Sequence, residues 1–252
     1  MKMRAYGLTD VGRVREANQD RLLVNPTVGL FAVADGMGGH AAGEVASRLA
    51  IEALGESLGA DGSSPPSAAE EARQRLEEAF KEGNRKIYDS VASRGEWRGM
   101  GTTIVASLSA GDEVVIGHVG DSRAYLLRDG TLQRLTSDHS WVNEQVRLGL
   151  MTDDEAYRHP MRNIVTRALG NRVELQVELT QEDVQPGDLF LLCSDGLNTM
   201  LRDDEIRDAL TANLGDPETA CRTLVDSANQ RGGEDNVTVV IFAPEAEEDS
   251  AN

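Results

Sequence analysis

Residues 102–135 read TTIVASLSAGDEVVIGHVGDSRAYLLRDGTLQRL, packing three or four strand-like runs into a stretch with no room for helical crossovers. The runs at 102–108, 113–119 and 124–127 are rich in Val, Ile and Leu and are broken by turn residues, the composition of strands. Asp129 and Gly130, flanked by YLLR and TLQRL, predict a tight hairpin. Strands joined this closely must pair antiparallel, because a parallel pair needs a crossover of about a dozen residues or more.

Working outward, apolar runs at 29–34, 189–193 and 237–242 predict further strands. Between the first of these and residue 102 lie two amphipathic patterns. One spaces Val45, Leu49 and Ala53 four apart; the other sets Ala72, Leu76, Phe80, Ile87 and Val91 on one stripe. DGSSPPS at 61–67 separates them as a loop, with Ser67 and Glu70 at capping-box spacing. Helices are expected near 203–214 and 217–229. Residues 138–170 combine mixed polarity, Pro160 and two histidines without a strand period, which predicts a helical or irregular insertion. Strands and helices come in blocks rather than in βαβ alternation. The expected fold is therefore α+β, a sandwich of antiparallel sheets with helices outside.

A length of 252 residues allows one large domain or two small ones, and no linker or internal repeat divides this chain. Aromatics are 4% of residues, so the core must rest on Val, Leu, Ile and Ala. The net charge of −18 repels phosphate backbones and anionic lipid, arguing against nucleic acid or a membrane surface as partner. Cys193 and Cys221 stand in no CxxC spacing and read as buried thiols of a reducing compartment. With no leader-like segment and no run of about 20 apolar residues, the expectation is a soluble cytoplasmic protein. The tail at 244–252 is acidic and polar and is expected to be disordered.

The chemistry is carried by aspartates. Four Asp-Gly pairs occur, at 35, 61, 129 and 195, and the ordinary reading of each is a turn. Asp35 and Asp195 differ from the others because each ends an apolar strand, in LFAVADG and FLLCSDG. Asp235 mirrors them by opening the strand in GGEDNVTVVIF. Three carboxylates mounted rigidly at strand ends repel one another unless a cation lies between them. Only oxygen donors cluster in these motifs, which favours Mg²⁺ or Mn²⁺ over zinc. Two such ions about 4 Å apart can share a water, lower its pKa and place it in line with a phosphoryl group, giving hydrolysis without a covalent intermediate. Arg15, Asn18, Gln19 and Asp20 form a polar cluster that reads either as a solvated turn or as a phosphate clamp in which Arg15 forks onto two oxygens.

TDVGRVREANQD, VADGMGGHAAGEVAS, MGTT, VGDSR, LLCSDGL and GGEDNVTVV follow one another from residue 9 to residue 240. In that order they resemble the metal-dependent protein phosphatases of the protein phosphatase 2C family in its bacterial form. The resemblance implies a β-sandwich of two antiparallel sheets flanked by helices in four αββα layers. It covers a single catalytic domain at 1–243, with residues 138–170 as a mobile flap. It also implies a centre of two Mn²⁺ or Mg²⁺ ions, with Asp35 bridging, Gly36 giving its carbonyl, and Asp195 and Asp235 as further ligands. Asp121 would join a third, weaker site. Arg15 would bind the substrate phosphate, Asp20 would hold a metal water, and Gln19 and Asn236 would support the site from behind. The implied activity is hydrolysis of phosphoserine and phosphothreonine in proteins, opposing a protein kinase, by a monomeric enzyme.

Two positions depart from the eukaryotic pattern. Gln19 stands where Glu is usual, and Met37 stands where a histidine is proposed as general acid; a thioether cannot donate that proton. His40 in GMGGH is the nearest titratable substitute, although a helix-start histidine bonded to a carboxylate fits the same position. His118, His139 and His159 read as structural. Two other function classes remain in view. A phosphoprotein-binding module should lack a metal carboxylate, and here all are present. A metal-dependent phosphodiesterase or nuclease shares the two-metal chemistry but conflicts with the acidic charge.

Overall fold

The computed structural model describes residues 2–38, 42–59, 65–93, 97 and 99–245. Its strands are β1 (Met3–Asp10), β2 (Asp20–Asn25), β3 (Leu30–Met37), β4 (Gly101–Thr102), β5 (Ile104–Ala110), β6 (Glu113–Val119), β7 (Arg123–Arg128), β8 (Thr131–Arg134), β9 (Glu178–Asp183), β10 (Leu189–Cys193) and β11 (Val237–Pro244). Its helices are α1 (Ala42–Leu58), α2 (Ala69–Ser93), α3 (Trp141–Arg147), α4 (Asp153–Tyr157), α5 (Asp195–Asn198), α6 (Asp203–Ala212) and α7 (Pro217–Gln230). One sheet runs β1-β11-β10-β7-β8 and the other β2-β3-β5-β6-β9, with β4 paired to β3. All pairings are antiparallel.

The central strands are apolar without alternation because both of their faces are covered. Along β3, Leu30, Ala32 and Ala34 face α1 and α2, while Phe31 and Val33 face the opposite sheet. In β11, Val237, Val239 and Ile241 pack under α7, and Val240 and Phe242 point between the sheets. The period of two survives as a division between two cores. Three hydrophobic layers result, one under each helix pair and one between the sheets. In the middle layer Phe31, Phe242 and Phe190 stack, with centroids 4.4 Å and 4.9 Å apart.

The stretch expected to hold three or four strands carries five, β4 to β8, because the first run is interrupted at Thr103 and β4 and β5 are separate pieces. Asp129 and Gly130 turn the β7–β8 hairpin with φ of 50° and 73°, both in the left-handed region such a turn demands. Strands β1, β2 and β9 were not expected. All three are outer strands, covered less completely than the inner ones, so they carry no continuous apolar run. The cap of α2 is also a correction: Ser67 is bonded by its amide and hydroxyl to Glu71, not Glu70. Residues 138–170 hold α3 and α4 among turns, tied at their base by bridges from Ser140 to Val165 and from Thr102 to Leu169. Both cysteines are free and buried. No described helix is long and apolar enough to cross a membrane. Strand β11 runs to Pro244, one residue past the expected boundary, and residues 246–252 of the tail lie outside the described residues.

Phe242 is fully buried and touches both partners of the aromatic stack. Truncation to Ala is expected to cost about 3–5 kcal/mol in urea denaturation. Val14→Ala, at a side chain 66% exposed, should stay within about 0.5 kcal/mol.

Candidate active site

The register places the aspartates at one end of the sandwich. Asp20, opening β2, lies directly opposite Asp35 near the end of β3. Gly36 and Met37 continue β3 against Thr102 and Gly101. In the same sheet β6 ends at Val119, opposite Ile104, so Asp121 emerges at that edge. In the other sheet Cys193 pairs with both Val239 and Arg123, which brings Asp195, Asp121 and Asp235 to the same end. The approach of Asp195 and Asp235 differs from the expected strand ends. Asp195 is the first residue of α5, two past β10, and Asp235 lies two before β11.

Neighbouring hydroxyls and amides fix these carboxylates. The Asp35 carbonyl accepts from Thr102 Oγ1 at 2.8 Å and from the Thr103 amide at 2.9 Å, while the Asp35 amide donates to Thr103 Oγ1 at 3.2 Å. Thr103 Oγ1 also bonds Ser122 Oγ at 2.7 Å, connecting Asp35 to the loop that carries Asp121. Asp20 is 1% exposed, and its Oδ2 accepts from Ser194 Oγ at 2.8 Å and Thr238 Oγ1 at 2.7 Å. Gly36 is required by close approach: a Cβ there would lie 2.0 Å from the Gly43 carbonyl of α1. The hydroxyl clamps were not identified from sequence. Their only trace is that a Ser or Thr stands beside or near each carboxylate in MGTT, GDS, CSD and NVT.

The Arg15 loop is pinned to the same end. Asn236 donates to the carbonyls of Val11 and Ala17 at 2.9 and 3.0 Å and accepts the Gln19 amide at 2.8 Å. Gly12 has φ of 83°, and a Cβ on it would come within 2.3 Å of the Asp235 carbonyl. Arg15 Nη2 reaches Asp235 Oδ2 at 2.6 Å, with the guanidinium otherwise open to solvent. The structure thus brings together Arg15, Gln19, Asp20, Asp35, Gly36, Asp121, Asp195, Asp235 and Asn236. His40 lies outside the described residues.

The electrostatics follow from this crowding. Burial, and then the charges of Asp20, Asp195, Asp121 and Asp235, hold the Asp35 carboxyl well above the ordinary carboxylate range. Burial and then Asp195 do the same to Asp121. Burial pushes Asp20 up to about 7, against hydrogen bonds from Thr238 and Ser194 that pull it down. Asp195 rises to about 6 through burial and the charge of Asp235. Asp195 Oδ1 is buried with no hydrogen-bond partner among the described residues. An orphaned carboxylate oxygen among repelling carboxylates, with only oxygen donors at hand, fits a hard divalent cation.

A second group of possible ligands does not fit one. His118, His139 and Glu178 bring ligand atoms within 4.8 Å of one another. The Gly120 amide, however, donates to His139 Nδ1 at 3.0 Å, which places the imidazole proton on Nε2, facing Glu178 Oε1 at 2.9 Å. His118 and His139 also stack with planes 14° apart, so no ion can lie in both ring planes. This cluster is structural, as expected from the sequence for both histidines.

A carboxyl whose pKa rises on folding contributes stability that is present at acid pH and is lost as pH climbs through the folded value. For Asp195 that window runs from 3.8 to about 6, and for Asp20 from 3.8 to about 7. His118 and His139, lowered by burial, slope the other way but titrate alike with and without metal. The melting temperature of the Mn²⁺-loaded protein minus that of the chelated protein should therefore widen by several degrees between about pH 5.5 and about pH 7.5. A gap that stays flat or narrows contradicts cation pairing at these carboxylates.

Comparison with known proteins agrees with this geometry. The family model described as Protein phosphatase 2C matches residues 12–230. Serine/threonine phosphatase stp of Listeria welshimeri is 40% identical over 242 residues, covering 95% of both chains. The crystal structure of the Mycobacterium tuberculosis serine/threonine phosphatase PstP/Ppp superposes with a TM-score of 0.88 at 39% identity, covering 98% of this chain and 100% of that one. The catalytic domain of serine threonine protein phosphatase PstP in complex with 2 manganese ions superposes with a TM-score of 0.85 at 38% identity, covering 96% and 98%. By sequence and fold, this chain belongs to the protein phosphatase 2C family of metal-dependent serine/threonine protein phosphatases.

Proposed function

We propose that this chain hydrolyses phosphoserine and phosphothreonine in proteins, with Asp35, Asp195, Asp235 and the Gly36 carbonyl holding two Mn²⁺ or Mg²⁺ ions and Asp121 joining a third, weaker site. The observation that carries the reading is the buried, unpartnered Oδ1 of Asp195 among carboxylates whose pKa values are raised by one another. When bound, the ions supply Lewis acidity and a water acidic enough to attack phosphorus directly at neutral pH. Arg15 binds the phosphoryl oxygens. Its guanidinium is 53% exposed and is anchored by one nitrogen to Asp235, leaving other donors free to fork onto an oxyanion. Asp20, gripped by Ser194 and Thr238, holds a water of the ions' shell, and Asn236 keeps the Arg15 loop in register. His40 is assigned the proton for the leaving oxygen.

Phosphoproteins made by a Ser/Thr kinase are the substrates of this reading, and the enzyme acts as a monomer in the cytoplasm. Two buried free thiols suit a reducing compartment, and the charge of −18 disfavours nucleic acid as an alternative phosphoester. Phosphate release from phosphopeptides should require Mn²⁺ or Mg²⁺ and stop on chelation. Asp35→Ala should lower kcat/KM at least about 100-fold, the scale of removing a preorganised charge from an active site. Activity that survives both chelation and that substitution would sink the mechanism. Asp121→Ala should raise the metal concentration needed for half-maximal activity without abolishing turnover, and full activity at low metal would remove the third site alone.

A further inference from the structure

The Asp121 carboxylate is held differently from that of Asp20, which the Ser194 and Thr238 hydroxyls grip from outside. Asp121 is 7% exposed, and among the described residues only its own backbone amide donates to its side chain. Its aim is therefore set by the backbone on either side of it. Following it, Ser122 Oγ bonds Thr103 Oγ1 at 2.7 Å. Preceding it stands Gly120, with φ of 112°, where a Cβ would lie 2.5 Å from the Thr103 Cβ. A glycine does not fix its own dihedrals, so this one must be fixed by its partners.

That role falls to His139. Its amide donates to the Gly120 carbonyl at 2.9 Å, and its Nδ1 accepts the Gly120 amide at 3.0 Å. One residue thus binds both backbone polar groups of the glycine next to Asp121. The imidazole is held in turn. It is buried, its Nε2 faces Glu178 Oε1 on β9 at 2.9 Å, and it stacks on His118 with centroids 4.7 Å apart. Glu178 pairs with Arg167 at 3.1 Å, and His118 Nε2 bonds the Ser137 carbonyl at 2.9 Å. The ring has little freedom to move its Nδ1 away from Gly120.

We infer that His139 is a positioning residue for Asp121, its Nδ1 fixing the Gly120 amide so that the next carboxylate in the chain faces the metal site. The inference rests on the phosphatase reading, in which Asp121 joins a third, weaker site, and adds to it a residue that touches neither metal nor substrate. Removing an outer partner of this kind typically costs about 10- to 100-fold in metal affinity.

Two substitutions separate the two ring nitrogens. Asn places a carboxamide oxygen where Nδ1 stands, keeping an acceptor for Gly120 and giving up Glu178. Gln reaches the Nε2 position, keeping Glu178 and giving up Gly120. Mn²⁺ binding is measured by isothermal titration calorimetry, alongside the Mn²⁺ concentration for half-maximal hydrolysis of a phosphothreonine peptide and the melting temperature in chelator. His139→Gln should weaken the weakest Mn²⁺ site and raise the half-maximal concentration about 10-fold or more, while His139→Asn stays within about 3-fold of the unaltered protein. In an Asp121→Ala background the two variants should no longer differ. Equal weakening in both, following a lowered melting temperature, would mark the histidine as merely structural and overturns the inference. Unchanged binding in His139→Gln overturns it too. If either variant fails to fold, hydrogen exchange in the unaltered protein decides. Saturating Mg²⁺ should slow exchange of the Gly120 amide about 10-fold or more, an effect absent from Asp121→Ala, and an amide indifferent to Mg²⁺ overturns the inference. A protein that shows the calorimetric difference but hydrolyses no phosphopeptide sinks the phosphatase reading and leaves the role of His139 standing, because metal binding is read without turnover.

Discussion

Mutual repulsion among Asp20, Asp35, Asp121, Asp195 and Asp235 is the constraint around which the molecule is organised. Each of the carboxyls Asp20, Asp35, Asp121 and Asp195 is raised by burial first and by at least one other member of the set after it. Nothing in the hydrophobic core asks for this arrangement, and without a cation it weakens the fold at neutral pH. Holding the carboxylates there takes rigid supports. These are the Thr102 and Thr103 clamps on Asp35, the Ser194 and Thr238 hydroxyls on Asp20, and the backbone contact at Gly36 and Gly43 that leaves no room for a Cβ. A site that destabilises its own protein and is held by its surroundings is the usual signature of function.

The layered architecture supplies the stiffness. Strands β3, β10 and β11 are buried on both faces and carry aspartates at or just beyond their ends, so their positions are set by packing on two sides at once. With so few aromatic residues, the middle layer depends on the stacked Phe31, Phe190 and Phe242, and Val and Leu fill the rest. The two sheets each deliver part of the site. Asp20, Asp35 and Asp121 come from one sheet and its loops, while Asp195 and Asp235 come from the other, so the centre exists only when the sheets are packed together.

Residues 138–170 give the site a direction. The segment is tied at its base through His139, whose backbone and ring are both bonded to Gly120, and at α4 through Tyr157 and Arg202. The resulting cavity is lined by Asp121 and Asp195 together with residues of α3, α4, α5 and α6.

By itself the sequence determined the inner strands, the long helices, the hairpin at Asp129 and Gly130, and three of the clustered carboxylates, Asp35, Asp195 and Asp235. Two-sided burial writes a continuous apolar run, and an aspartate at its end stands out against that run. Edge strands β1, β2 and β9 were illegible because half-exposed strands need no such run. The partners of Asp20 and Asp35 were illegible for another reason: a hydroxyl bond from Ser194 or Thr238 crosses 174 or 218 residues of sequence and leaves no local pattern. The same holds for Asn198, which in sequence is one polar residue on a short helix. Only the tertiary packing shows that its Oδ1 is buried without a partner, because satisfaction of a hydrogen bond is a property of neighbours brought together by the fold.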